Sequence, residues 1–450
     1  MSTPSAVLEE MSEIAPEPTR ILDGLRSLAS DNLPSWLNDQ RASAWTQFQS
    51  LPMPARTDQA WRFSSIAALD LAPYKMGQPL SAADAPALVE RSVGIENNSG
   101  RLVFADDHFL QRDVLPETLR KAGVIFQPLE RAIVEHEDLF RKHFMSQPAT
   151  LGSAKFAALH EAFVRSGTFL YLPAGVEVEL PLETFHWLHA ENSAIFPHTL
   201  VVAEKFSKVT LVEHFRSTDR QRAGFACGVN DLIVGPGAKV TYICVQDWSD
   251  RTLSIQINAT TVARDATALN LYVGLGGKFS RLESLSRLTG ENAHSDMLAV
   301  SLGDNEQEFD ARTLQDHASP HTNSDLLFKN ALNGRARATF GGLIRVEPHA
   351  HFTDAYQKVR NLLLSDDAEA NSMPGLEILA DNVKCSHGAT SGQLGEDEMF
   401  YLLARGIPAS VARHLLVGGF LNEVLERLPD TALVTQLEEL IAAKFARRGR

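Results

Sequence analysis

Between residues 167 and about 385 the sequence consists almost entirely of short strand-like segments, with no helical pattern between them. Segments such as TFLYL, KVTLVEHF, KVTYICV and LSIQINATTV alternate apolar and polar residues, which is typical of half-buried strands. A doubly wound α/β domain needs helical crossovers between its strands. The absence of such segments therefore excludes that class.

A sandwich, a barrel and a parallel β-helix remain as alternatives. The breaks between strands often hold Gly, Ala or Asn just before the next strand, as in PGAKVTY, ENAHSDM and NGRARATF. This arrangement is expected where each rung of a solenoid starts after a corner and stacks on the previous rung. No strict repeat length is visible, so periodicity favours the β-helix without excluding the other two folds.

Helical patterns flank this β region on both sides. We predict a mostly helical N-terminal region over residues 1–166, a β core over 167–392 and a C-terminal helical region over 393–450. Ile21, Leu25 and Leu28 have the spacing of one helix face, and Asp430 is a good N-cap for the last helix. The C-terminal unit is too small to be very stable alone, so it should pack on the β core or on a partner.

Composition narrows the possible functions. With 42 Lys and Arg against 56 Asp and Glu, the chain has a net charge of −14, which argues against a protein that neutralises nucleic-acid phosphates. No stretch approaches the roughly 18 apolar residues that span a bilayer, and the start lacks a signal-peptide pattern. Three cysteines can form neither a disulfide framework nor a Cys₄ metal site. We therefore expect a cytoplasmic protein that binds neither nucleic acid nor membrane.

The sharpest local motif is KCSHGAT at residues 384–390, at the end of the last strand-like run. Residues two apart share one face of a strand, so Cys385 and His387 should project together. Such a pair suits zinc or iron, and it could also be a thiol activated by a neighbouring base. A buried thiol beside a hydrogen-bonded imidazole, without chemistry, is the third reading. Two ligands do not close a metal site in any case.

The other candidate residues favour structural roles. Cys227 and Cys244 lie in apolar strand patterns, where cysteine usually packs as a small hydrophobe. We interpret the remaining histidine groups as surface or hydrogen-bonded residues. These groups are His186, His189 and His198, then His317 and His321, then His349 and His351. The chain has no phosphate-binding G-x-x-x-x-G-K-[ST] loop, no G-x-G-x-x-G and no G-x-S-x-G elbow.

The stretch NLLLSDDAEANSMPGLEILADNVKCSHGATSGQL, at residues 361–394, and the GEDEMFYLLARGI that follows resemble the C-terminal core of the SufB/SufD family of the SUF iron–sulfur cluster assembly system. FGGLIRVEPHAHFTDAYQKVRNLLLS and the N-terminal DQAWRF are similar to the same family. The resemblance covers most of the chain and is strongest from about residue 325 to 425. Within the family the KCSHGAT spelling looks most like SufD, with SufB as the alternative.

The resemblance implies a right-handed parallel β-helix between helical N- and C-terminal regions. It implies a non-enzymatic scaffold that pairs with a SufB-like paralogue through the β-helices and carries a SufC-like ATPase on its C-terminal helices. His387 would face a cysteine of the paralogue, with Cys385 as its neighbour, at a transient iron or cluster site that the isolated chain does not hold tightly. Candidate partner contacts on the C-terminal helices are Leu415, Phe420 and Leu437.

The isolated chain is also a possible homodimer. Two alternative functions stay open beside this reading. A β-helix or cupin-like metalloenzyme would use His349, His351 and His387 as metal ligands. A purely structural subunit would hold the complex together and contribute no ligand at all.

Overall fold

The computed structural model describes residues 33–447, so the helix predicted around Ile21, Leu25 and Leu28 lies outside the described residues. The described chain is a parallel β-solenoid of about eight turns, with helices before and after it. It is mainly β, as the succession of strand patterns predicts. The parallel β-helix interpretation is thereby confirmed over the sandwich and the barrel.

Successive strands alternate between two sheets, so each turn of the solenoid contributes one strand to each sheet. An eleven-stranded sheet has the order β20-β18-β16-β14-β12-β10-β8-β5-β4, with β1 paired to β7 and β7 to β10. A ten-stranded sheet has the order β21-β19-β17-β15-β13-β11-β9-β6-β2-β3. The strands are β1 Lys75–Met76, β2 Gly100–Ala105, β3 His108–Arg112, β4 Ile125–Pro128, β5 Gly167–Leu172, β6 Leu182–Leu188, β7 Ser193–Ile195, β8 His198–Ala203, β9 Lys208–Ser217, β10 Gly224–Val234, β11 Lys239–Asp247, β12 Thr252–Val262, β13 Thr267–Gly274, β14 Phe279–Leu288, β15 His294–Gly303, β16 Glu308–His317, β17 Asn323–Leu332, β18 Arg337–Val346, β19 Asp354–Leu363, β20 Glu369–Ile378 and β21 Lys384–Gln393.

One column of corners is built from residues in the left-handed backbone conformation, which lets the chain reverse sharply from one sheet to the other. In this column Gly237 donates its N–H to the carbonyl of Arg264 in the next turn at 2.9 Å, and Asp265 donates to Glu291 at 3.0 Å. The members with positive φ are Gly175, Phe206, Gly237, Asp265, Asn292, His321, Phe352 and Asn382. The Gly, Asp and Asn positions in the breaks are thus the corners of the solenoid.

The space between the two sheets, here called the lumen, holds both apolar and polar side chains. Buried apolar residues from both sheets form one continuous cluster along it, from Leu102 to Val359. Several buried polar groups in the lumen are hydrogen-bonded to one another. Glu213, which is fully buried, accepts from the hydroxyls of Thr199 at 2.8 Å and Tyr242 at 2.7 Å. A satisfied carboxylate of this kind is tolerated in a core.

The N-terminal region is more mixed than the predicted mostly helical segment. It contains the helices α1 to α6, but β2 and β3 extend the ten-stranded sheet and β4 extends the eleven-stranded one. Each of these strands is short, and β2–β3 and β4–β5 pair antiparallel, outside the regular turns of the solenoid. The helices are α1 Ser35–Ser50, α2 Asp84–Arg91, α3 Glu117–Lys121, α4 Leu129–Glu135, α5 Glu137–His143 and α6 Ala154–Phe163.

The DQAWRF stretch fastens this region to the solenoid. Trp61 is 1% exposed, donates its indole N–H to the Gly152 carbonyl at 2.9 Å, and stacks its ring 3.7 Å from the guanidinium of Arg281 in β14. Arg281 is itself buried and pairs with Glu283 and Asp310. A buried cation is stable in such a place because two carboxylates and an aromatic face compensate it.

Three further helices follow the solenoid, namely α7 Glu396–Ala404, α8 Ala409–Leu425 and α9 Thr431–Arg447. Apolar residues of α8 and α9 pack against the outer face of the ten-stranded sheet in one cluster with Leu271, Leu298 and Leu327. Lys329 in β17 donates to the Phe420 carbonyl at 2.6 Å and pairs with Glu423, which joins α8 to that sheet. The C-terminal unit is therefore packed on the β core, as its small size predicts.

Candidate functional site

Cys385 and His387 lie on β21, the last strand of the ten-stranded sheet, and share one face of it. Their register partners in β19 are Ala355 and Gln357, both buried in the lumen, whereas the partner of Ser386 is the exposed Tyr356. The alternation predicted from sequence therefore holds, and both side chains belong to the lumen face. No further turn covers them within the described residues, so the last turn is an open end of the solenoid.

The two side chains differ in their surroundings. Cys385 is half-buried against an apolar cluster that includes Ile344, Val346 and Ala355, whereas His387 is exposed. Burial, reinforced by the nearby Asp354 carboxylate, raises the pKa of the Cys385 thiol to about 11. The thiol is thus protonated at neutral pH, and binding a metal through sulfur would require the loss of that proton.

The rim of the open end is apolar and carries unpaired strand edges. Leu376 and Ile378 on the last strand of the eleven-stranded sheet are exposed, as is Leu379 just beyond it. Both β20 and β21 are the terminal strands of their sheets, so no other strand of the described chain pairs with the N–H and C=O groups of their outer edges. Edges of this kind are templates for pairing with another chain.

The donor set at the open end has the chemistry of a metal site but is incomplete. Cysteine sulfur and imidazole nitrogen both suit iron and zinc. Within residues 33–447, however, no group of three or more His, Cys, Asp or Glu side chains is arranged to hold a metal ion. The missing ligands would have to come from outside the described part of this chain.

The ligand set of the metalloenzyme alternative is not brought together in the structure. His349 and His351 lie in the corner between β18 and β19, where their rings bond the backbone carbonyls of Ala318 at 3.0 Å and Asp381 at 3.1 Å. They form no metal-ligand cluster with His387 in the described chain. Their interpretation as hydrogen-bonded histidines agrees with these contacts.

The remaining cysteines and several histidines lie in the interior. Cys227 and Cys244 are fully buried, and burial raises the pKa of each thiol, so both pack as predicted. His186, His198 and His317 are also buried; His317 bonds the hydroxyls of Thr322 and Ser324, each at 2.8 Å.

The C-terminal helices present a second exposed apolar surface. The helix surface, as we call it, consists of Phe400, Tyr401, Leu403, Val411 and Leu415, with Phe400 72% and Leu415 55% exposed. Of the residues predicted as partner contacts, Leu415 is on this surface. Leu437 is instead buried against the solenoid, and Phe420 is half-buried beside it. Those two residues stabilise the docking of α8 and α9 within the chain.

Sequence reasoning missed two features of this end of the molecule. The apolar rim was invisible because an alternating strand gives the same pattern whether or not another turn covers it. Gln357 was missed because a single glutamine in a strand carries no signal. It lies next to His387 in the lumen, 2% exposed, and neither atom of its carboxamide has a hydrogen-bond partner in the described chain.

The fold and the ligands at the open end together define a class of protein: a β-solenoid protein whose candidate ligands are too few to hold a metal alone. Known protein families include one of this kind. The family model described as SUF system FeS cluster assembly, SufBD core domain, matches residues 186–420, and the SufBD protein N-terminal region matches residues 21–184.

Individual relatives are similar over nearly their whole length. The iron–sulfur cluster assembly protein SufD of Bacillus subtilis is 31% identical over 91% of this chain and 94% of its own. SufB of the same organism is 25% identical over 98% and 92%, and a SufBD family protein of Synechocystis sp. is 29% identical over 93% of each chain. The chain belongs to the SufBD family of the SUF iron–sulfur cluster assembly system. None of the helices in the described residues is long and apolar enough to cross a membrane.

Proposed function

We propose that this chain is a SufD-like scaffold subunit that works in a complex with a SufB-like paralogue and a SufC-like ATPase in the cytoplasm. The observation that carries the proposal is the open end, where Cys385 and His387 face the lumen on a terminal strand. The greater likeness to SufD than to SufB among the relatives named above supports the choice of subunit.

In this proposal the open end is the docking surface for the paralogue. Its apolar rim and unpaired edges match the end of a second β-solenoid, whose backbone groups and apolar residues would complement them. The partner would supply the ligands that Cys385 and His387 lack. Iron, or a nascent cluster, is then held between two chains as cargo and is easily released when they separate.

The helix surface is the proposed docking site for the ATPase. It is apolar and exposed, and one of the two helices that bear it, α8, is fastened to the ten-stranded sheet through Lys329 and Glu423. The chain has no phosphate-binding loop of its own, so nucleotide energy would reach the open end through these helices. The chain itself acts as a scaffold and not as an enzyme.

Replacement of His387 tests the ligand role. In a strain that depends on this chain, His387→Ala should lower the activity of iron–sulfur enzymes severalfold while the three-subunit complex still co-purifies. Lys384→Ala, on the opposite face of the same strand, is the matched control and should mature clusters normally. Full maturation with both Cys385 and His387 replaced would instead support the purely structural subunit.

A further inference from the structure

Gln357 occupies a position in the lumen that its polar side chain does not explain. It lies on β19 between the buried Leu326 of β17 and His387 of β21, its two register partners. Across the lumen it packs on Gly342, where a Cβ atom would come within 2.2 Å of the Gln357 amide nitrogen. Both carboxamide atoms are buried without a hydrogen-bond partner in residues 33–447. Buried polar groups are normally hydrogen-bonded, so an unpaired amide beside a candidate ligand needs an explanation.

The neighbouring amides on the same face show what the geometry of the lumen allows. Asn330 donates to the side chain of its register partner Asn361 at 2.8 Å. Asn361 in turn donates to the hydroxyl of its own register partner Ser391, in β21, at 3.1 Å. Side chains of register partners therefore bond from turn to turn in this part of the solenoid, up to and including the last strand.

Gln357 and His387 stand in the same relation, four residues back along the same two strands. The inward side of Gln357 is closed by the apolar Leu326, and Gly342 opposite it has no side chain to offer. Gln315, one turn further in, directs its amide to the Ser324 hydroxyl and the Tyr356 carbonyl. The outward direction, toward the imidazole, therefore remains open to the Gln357 carboxamide. A histidine that binds a metal through one ring nitrogen almost always donates its other N–H to an oxygen, which fixes the ring and raises its affinity.

Resting on the proposed function of the open end, we propose that Gln357 is the positioning residue of His387. Its carboxamide oxygen accepts the N–H of one ring nitrogen of His387, and this leaves the other ring nitrogen free to bind iron at the interface. Because the carboxamide is unpaired in the structure, this hydrogen bond forms when the imidazole is brought into place at the interface. Cys385 needs no such partner, because it already packs against apolar residues.

The test uses the complex of the full chain with its SufB-like partner, titrated anaerobically with Co²⁺ as an optical substitute for Fe²⁺. His387→Ala should abolish the absorption bands of Co²⁺ bound to the complex. Gln357→Leu and Gln357→Met should weaken Co²⁺ binding about 10-fold or more, as loss of an outer ligand partner does, and should shift the bands. Gln357→Glu, which keeps an oxygen acceptor, should restore most of the affinity.

Asn361→Leu is the matched control, because it removes a buried amide from the same face of the same strand. It should lower thermal stability while Co²⁺ affinity and spectrum stay unchanged. Wild-type Co²⁺ affinity and bands in both Gln357→Leu and Gln357→Met, with binding lost in His387→Ala, would overturn the role of Gln357 alone. Unchanged binding in His387→Ala would overturn the ligand role of His387 and this inference with it. Gel filtration of each complex shows that the variants are folded and assembled.

Discussion

At the scale of single residues, the interior of this protein is defined by polar groups that are paired over long sequence distances. Arg281 contacts Trp61, 220 residues earlier, and also pairs with the carboxylates of Glu283 and Asp310. Removing one member of such a buried set leaves the others uncompensated, which costs more than the contact itself is worth. The residues of DQAWRF are thus explained by attachment of the N-terminal region rather than by chemistry.

Replacement of Trp61 measures that attachment. Trp61→Ala should lower the free energy of unfolding by about 3–5 kcal/mol, because it opens a cavity and uncovers the Arg281 guanidinium. Phe63→Ala, two residues away and 45% exposed, should cost less than about 1 kcal/mol. Urea denaturation followed by circular dichroism gives both values. Equal losses for the two variants would contradict the buried role of Trp61.

His317 should make the stability of the solenoid depend on pH. Burial lowers the pKa of His317 to about 4, so its imidazole stays neutral in the folded chain. The unfolded chain takes up a proton near pH 6.5, and stability is therefore lost as the pH falls from about 6.5 toward 4.

Urea midpoints between pH 7.5 and 4.5 check this prediction. His317→Gln keeps a side chain that can bond Thr322 and Ser324 but cannot titrate. It should lose less stability than the wild type on acidification, by up to roughly 1.4 kcal/mol for each pH unit within the window. Parallel pH profiles of the two proteins would show that another group is responsible.

At the scale of elements, the strands and corners could be predicted well but the repeat could not. The turn residues Asn292 and Gly237 marked corners because they tolerate positive φ. Successive register partners, however, lie from 26 residues apart, as for Leu253 and Phe279, to 32 apart, as for Arg337 and Glu369. Corners of different length hide the period, although every strand stacks in register on its neighbour.

The candidate site could be predicted only in part from the sequence, for a related reason. The shared face of Cys385 and His387 follows from strand alternation alone. That this face lies at the uncovered end of a lumen depends on the number of turns that precede and follow it, which no local pattern encodes. Likewise, Leu437 and Leu415 both sit on apolar helix faces, and only the packing of α9 shows that one is internal.

The C-terminal helices allow a paired test of internal and external apolar residues. Leu415→Asp should abolish co-purification with the ATPase without lowering the melting temperature, because its side chain projects from the helix surface. Leu437→Ala should lower the free energy of unfolding by about 2–5 kcal/mol, the usual cost of truncating a buried leucine. It should weaken ATPase binding only if α8 and α9 detach from the solenoid. Retained ATPase binding in Leu415→Asp would place that contact elsewhere on the chain.

At the scale of the whole molecule, the solenoid is finished at one end and unfinished at the other. The first turns are covered by β2, β3, β4 and the N-terminal helices, which pair with or pack on the first strands. The last turn, in contrast, leaves both sheet edges and the apolar rim exposed within residues 33–447. The two ends of the solenoid therefore differ, and we expect association at the C-terminal end.

Charges placed on the rim test whether association occurs at this end. The double variant Leu376→Asp and Ile378→Asp should remove association through the open end, both with the SufB-like partner and between two copies of the isolated chain. Both side chains are exposed, so the variant should fold normally. Light scattering coupled to gel filtration measures the mass of each species, and circular dichroism verifies the fold. Unchanged association would mean that another surface joins the subunits.

The unfinished end also has a consequence for the supply of subunits in the cell. A copy made in excess of its proposed partner would keep two bare strand edges and an apolar rim in contact with water. Such surfaces favour aggregation and recognition by chaperones or proteases. Matched synthesis of the two solenoid chains would then be a requirement of the fold itself. The lifetime of the unpartnered chain, measured after its partner is depleted, would report how strictly that balance is kept.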